Sequence, residues 1–123
     1  VHFIKPKKPS LLTSFISDAD ISIVPIQNTC KSYYYCLPNK IFESIYAGLP
    51  ILGSNLYDIR KLIKKEKLGE ICNMDDTQSI LKGIKLVYGN KNYFNKNKVK
   101  KLREKYSFEN EFNKVIKLYE SLT

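Results

Sequence analysis

Three side chains set a stretch of this sequence apart chemically: Asn39, Lys40 and Glu43, at the start of an amphipathic segment. Free backbone N–H groups at a helix start, with the helix dipole behind them, bind phosphate groups. Lys40 adds a cation at that point. Glu43 falls one turn further in, on the same face as Asn39, Lys40 and Ala47. A carboxylate there repels a phosphate in direct contact. It suits a neutral diol, such as a ribose, held beside the phosphates. The plainer reading is a first-turn glutamate complementing the dipole and a solvated lysine.

Other chemistries are poorly supplied. Cys30, Cys36 and Cys72 are odd in number and fit no common zinc spacing, and His2 is the one histidine. A disulfide framework and a Cys/His metal site are therefore not expected, and the thiols read as idle. Ser-His or Cys-His catalysis would need His2 as its base, near the chain start. Asp18 and Asp20 flank a helix-to-strand junction, and Asp75 and Asp76 read as a turn and a helix start.

Positioning these groups calls for alternating strands and helices. Val1–Ile4 reads as a strand, Ser10–Ala19 as a helix capped by Ser10, and Ile21–Ile26 as a buried strand ended by Pro25. Gln27–Pro38 reads as a loop carrying Tyr33, Tyr34 and Tyr35. Asn39 caps a helix to Ala47, which Gly48 stops before Pro50. Ile51–Ser54 is a strand and Leu56–Lys67 a basic helix ended by Gly69. Glu70–Asn73 is a strand, and Asp76 or Thr77 caps a helix to about Tyr88. Beyond Lys91, Leu102, Tyr106, Phe112, Val115, Ile116, Tyr119 and Leu122 form a helical stripe broken near Ser107. The alternation implies an α/β fold with a Rossmann-like parallel sheet, flanking helices and extra C-terminal helices. In such a sheet ligands sit beyond the carboxyl ends of the strands, here the loops after Ile4, Ile26 and Ser54.

One domain accounts for 123 residues, with 90–123 as its closing helices. Hydrophobic residues at 43% and charged residues at 27% suit a globular chain rather than a disordered one. No apolar run approaches the roughly 20 residues of a membrane span, and no secretory leader is visible. The chain starts at Val1 rather than Met, as expected of a processed protein or a piece of a longer one. A net charge of +9 favours anionic partners without choosing among them.

The segment from Pro38 to Pro50 resembles the C-terminal domain of bacterial GT-B glycosyltransferases, in particular the group called family 4 or group 1. The shared pattern is Pro38, Asn39, Lys40, the aromatic Phe42, Glu43, then Ala47, Gly48 and Pro50 before a strand. Ala19-Asp20-Ile21 with Pro25, Gly69 with Ile71, and the closing helices are similar to further parts of that domain, so the resemblance covers nearly the whole chain. It implies transfer of a sugar, of hexosyl type, from a nucleoside diphosphate sugar (UDP- or GDP-linked) to a glycan or lipid-linked acceptor. Carried over by position, Glu43 holds the ribose hydroxyls, and Pro38, Asn39 and Lys40 with nearby N–H groups hold the diphosphate or sugar. Lys5, after the first strand, lies against the base. The leaving diphosphate is neutralised by helix termini and basic side chains, so the site calls for no metal and no cofactor beyond the donor substrate.

The sequence departs from the family pattern in two ways. A glutamate pair of the family has its first member at Tyr35, which offers a donor-sugar hydrogen bond but no carboxylate. The opening strands of the donor domain, with their diphosphate-gripping cations, and the whole N-terminal acceptor domain are missing. This implies an incomplete GT-B C-terminal domain, inactive alone, with a gap in its sheet and self-association through the open edge. Two basic faces, one at Lys61, Lys64, Lys65 and Lys67 and the other from Lys96 to Lys105, read either as solvated surface or as docking sites for an anionic membrane leaflet. The expected location is the cytoplasm, peripheral at the inner membrane face if those surfaces dock. The rival reading is a small basic α/β module that binds nucleic acid or an anionic surface without catalysis. It explains the charge and the tyrosines, but no nucleic-acid motif accompanies them.

Overall fold

The computed structural model describes residues 1–123. Its order is α1 (Pro9–Ile16), β1 (Ser22–Val24), α2 (Lys31–Tyr34), α3 (Asn39–Ala47), β2 (Ile51–Ser54), α4 (Tyr57–Glu66), β3 (Gly69–Cys72), α5 (Thr77–Gly89), α6 (Lys96–Lys105) and α7 (Phe108–Ser121). The three strands form one open parallel sheet in the order β1-β2-β3, with Ser22 opposite Ile51 and Ile51 opposite Gly69. The fold is thus mixed α/β, with a small three-stranded sheet and flanking helices. No helix is long and apolar enough to cross a membrane.

The central strand explains the layering. All four residues of β2 are buried, so the sheet must be covered on both faces. Ile51 joins Val24, Ile41, Ile45, Ile59 and Ile63 in the core beneath α3 and α4, which Leu102 of α6 closes. Leu52 turns to the other face, against Cys72, Val87 and Tyr93. Gly53 is required here: a Cβ would lie 2.5 Å from the Ile63 side chain and 2.9 Å from that of Ile59. Gly69 has φ +157°, and a Cβ there would fall 1.9 Å from the Ile51 carbonyl oxygen.

The expected strand at Val1–Ile4 does not form. Residues 1–8 have no regular structure, and Val1 and Phe3 are fully exposed. An isolated apolar tetrapeptide lacks the backbone partners that make a strand, so the outer edge of β1 has no neighbour. The helix ends differ in detail. Lys8, not Ser10, is the N-cap of α1, and Pro38, not Asn39, occupies that position in α3. Proline's fixed φ and missing N–H fit it to a helix entrance. Lys67 in the left-handed conformation (φ 51°) ends α4, and Gly69 opens β3 instead. The Gln27–Pro38 loop contains the one-turn helix α2. Gly48 does stop α3, at φ 73°, and Asp76 caps α5 by accepting from the Gln78 and Ser79 N–H groups.

Much apolar surface stays in solvent. The chain exposes 9261 Å², against about 6,800 Å² for a folded monomer of this mass. Part of the excess is α7, in which no residue is buried and Phe108, Phe112, Leu118 and Tyr119 are all exposed.

A polar latch fastens α6 to the core. Glu66 at the end of α4 accepts hydrogen bonds from Lys105 Nζ and from the Tyr106 hydroxyl at 2.8 Å. Burial pushes the Glu66 carboxyl up, but these two hydrogen bonds and the charges of Lys105 and Lys65 outweigh it, and the group ends below its usual value of 4.5. The Tyr106 phenol is pushed up by its own burial and by the Glu66 carboxylate that it faces. Nearby, Lys98 Nζ donates to the carbonyls of Lys67 and Tyr93, both at 2.7 Å. A carboxyl whose pKa falls on folding stabilises the protein above the unfolded value, and that contribution disappears as pH drops through the folded value. Glu66→Ala should therefore cost about 1–2 kcal/mol at neutral pH, the half-exposed Lys105 supplying the smaller share. The cost should shrink toward pH of about 3 in urea unfolding; an equal cost at both pH values would mean the ionised carboxylate does not hold α6.

Candidate functional site

The carboxyl edge of the sheet is where β1, β2 and β3 each release the chain toward a helix. At that edge the Ser54 hydroxyl continues the sheet beyond its last paired residue. It accepts from the Ile26 N–H at 2.7 Å and donates to the Val24 carbonyl at 3.2 Å. Ser54 is buried, so its bond to Val24 is shielded from water, and the bridge fixes the direction in which residues 25–38 leave β1.

The loop then turns through α2 and delivers Pro38 to the start of α3. No side chain caps α3, and its first turn holds no acidic residue. The Ile41 N–H bends back to the Pro38 carbonyl at 3.0 Å, while the Asn39 and Lys40 N–H groups have no acceptor in the chain. The helices that follow β2 and β3 differ. Asp58 sits in the first turn of α4, and the Asp76 carboxylate caps α5. Thus α3, unlike α4 and α5 but like the one-turn α2, presents an uncompensated positive helix end at this edge, and Lys40 adds to it. The Lys40 side chain is exposed and unpaired. Glu43 is half-buried, with no hydrogen bond or ion pair. Beneath them the buried Ser44 hydroxyl donates to the Lys40 carbonyl and is hydrogen-bonded to the Ser22 hydroxyl, each at 2.6 Å, which joins α3 to β1.

Pro38, Asn39, Lys40 and Glu43 therefore share one helix entrance. Tyr35, three residues earlier, does not reach out freely. Its ring lies 4.9 Å from that of Tyr34 and 5.5 Å from that of Tyr57 on α4, edge to face, and the ring remains 57% exposed. Lys5 is not brought to the site: it lies in the exposed segment before α1, and no hydrogen bond or ion pair ties it down. The loop after Ile4 is accordingly not part of the sheet edge.

Sequence patterning missed a second feature of this edge. Two depressions, of about 260 and 460 Å³, lie over the strand ends and share Ile26, Met74 and Asp75. Their rims hold Gln27, Asn28, Asn55 and Asn73, polar residues that follow the three strands. The signal was a carboxamide after each strand, but no periodicity links positions so far apart. At the opposite edge a larger hollow of about 500 Å³ separates the end of α3 from α6. There Arg103 donates to the Tyr46 carbonyl and satisfies the C-terminus of α3. No three His, Cys, Asp or Glu side chains gather anywhere in the fold.

No family model, characterised protein or solved structure matches this chain.

The Ser54 bridge leads to a direct check. Ser54→Ala should leave the Ile26 N–H and a Val24 carbonyl lone pair unsatisfied, destabilising the fold by about 1–3 kcal/mol. Amide exchange of Ile26 should accelerate more than that of Ile45 in α3. Equal acceleration at both would show that the bridge does not position the loop.

Proposed function

We propose that this chain is the donor-binding part of a GT-B type glycosyltransferase, with an incomplete Rossmann-like sheet, and that its α3 entrance holds a nucleoside diphosphate sugar. The observation that carries the reading is the uncapped, acid-free start of α3 at the carboxyl edge, with Lys40 in its first turn and the unpaired Glu43 one turn on. It coincides with the segment Pro38–Pro50 on which the resemblance rests. The Asn39 and Lys40 N–H groups and the Lys40 ammonium hold the diphosphate. The Glu43 carboxylate accepts hydrogen bonds from the ribose hydroxyls, a neutral diol that it can approach without repulsion. As the glycosidic bond to the leaving diphosphate breaks, the growing negative charge meets donors already in place. Tyr35 stays at the edge as a hydroxyl for the donor sugar.

The strand order supports an incomplete site. Open α/β sheets bind ligands where the strand order reverses, and β1-β2-β3 contains no reversal. The unpaired side of β1, next to α3, is where further strands would create one. In this reading the acceptor and any base that activates it belong to a second domain, and residues 1–123 bind the donor without turning it over. The open edge of the sheet pairs with another chain or copy.

One observation favours the second reading, a module for anionic surfaces. The lysine-rich faces of α4 and α6 adjoin, joined where Lys105 meets Glu66 and Lys98 meets the Lys67 carbonyl. Ligand-observed NMR with UDP, GDP, ADP and pyrophosphate at moderate salt separates the two. The donor reading expects a preferred nucleotide, weakened roughly tenfold or more in Glu43→Ala, with heparin binding unchanged or tighter. Equal, salt-sensitive binding of every anion by both proteins would favour the surface module.

A further inference from the structure

The crevice over the strand ends has no part in the nucleotide reading, and its chemistry differs from the rest of the surface. The protein carries +9, yet neither depression is lined by a lysine or an arginine. Asp75 is the one charged group on the rim, and it repels phosphate. The ligand that fits is therefore not a phosphate or other anion.

The polar groups of the rim are also free. Asn55 Oδ1 accepts from Arg60 at 2.8 Å, and Asn73 Oδ1 accepts from the Asp75 N–H at 3.0 Å. These bonds fix which end of each carboxamide is used, and both NH₂ groups are left without an acceptor. The Gln27 and Asn28 side chains make no hydrogen bond, and the Asp75 carboxylate accepts none. Of the three consecutive tyrosines, Tyr34 and Tyr35 stack with Tyr57, whereas the Tyr33 ring meets no other aromatic and lines the crevice, 51% exposed.

We propose that this crevice binds a neutral glycan through one or two pyranose rings. Sugar hydroxyls both donate and accept. A carboxylate takes adjacent O–H groups, carboxamides serve hydroxyl and ring oxygens, and an aromatic face covers the C–H side of the ring. The spacing agrees. Asn28, Asn55 and Asn73 stand on the loops beyond three neighbouring strands, the outer two of which lie about 9–10 Å apart. That exceeds the hydrogen-bonding edge of a nucleobase and matches hydroxyls spread along a saccharide. The proposal stands whether or not α3 holds a nucleotide.

The test is amide-detected NMR of the full chain titrated with maltotriose, cellotriose and N-acetylchitotriose, with guanosine as the heterocycle control. The side-chain NH₂ signals of Asn28, Asn55 and Asn73 report the crevice directly. At least one trisaccharide should move them saturably at millimolar concentration, with little dependence on salt because the ligand is neutral. The combined Asn28→Ala and Asp75→Ala variant, and separately Tyr33→Ala, should weaken that binding about tenfold while other signals stay in place. The proposal is overturned if no trisaccharide moves those signals, if guanosine alone does, or if the shifts survive both variants. Loss of nucleotide binding in Glu43→Ala would leave these results unchanged, so the two site readings fail separately.

Discussion

A parallel strand buried on both faces has to satisfy every backbone group sideways, and β2 is such a strand. Ile51, Leu52, Gly53 and Ser54 are all buried, with β1 on one side and β3 on the other. Ile51 feeds the core under α3 and α4, and Leu52 feeds the one facing α5. Where the strand ends, the Ser54 hydroxyl takes over as bonding partner for β1. The direction of the loop to α3 follows from that bridge. So does the placement of the α3 entrance beside the unpaired edge.

Electrostatics divide the carboxyl edge into two regions of different character. At α4 and α5 the helix ends are offset by Asp58 and Asp76, which stabilise those helices and discourage anions. At α3 no acid performs that role in the first turn, and a lysine stands there instead. Between the strand ends, carboxamides and Asp75 make a polar but cation-free hollow. Lysines elsewhere supply the net charge, with α4 and α6 bearing a large share, and they leave this hollow untouched.

The sequence was most readable where a signal is local. Gly48 with Pro50 marks the end of α3 to the residue, since glycine and proline act on the backbone where they stand, whereas the cap falls on Pro38, one residue before the Asn39 expected. The apolar run at Ile51–Ser54 marks a buried strand and the shorter one near Ile71 a half-buried strand, again from neighbouring residues alone. Val1–Ile4 looked the same and forms none, because a strand exists only if another pairs with it. The α2 turn was hidden among tyrosines with weak local preference. Asn39, Lys40 and Glu43 are legible as neighbours because one helix entrance holds them all. Tyr35 lies in the loop before α3, but its edge-to-face contact with Tyr57 depends on a helix more than twenty residues away. The carboxamide rim was illegible for the same reason, assembled as it is from three strand ends.

The central claim is that the start of α3 is an anion site distinct from the lysine-rich surface. The most direct measurement is an amide-detected titration with pyrophosphate at physiological salt, where exposed lysines are largely screened. The account predicts saturable shifts concentrated at the Asn39 and Lys40 amides, with the Asp58 and Gln78 amides unmoved. Small, unsaturated shifts spread along α4 and α6, with α3 silent, would contradict it.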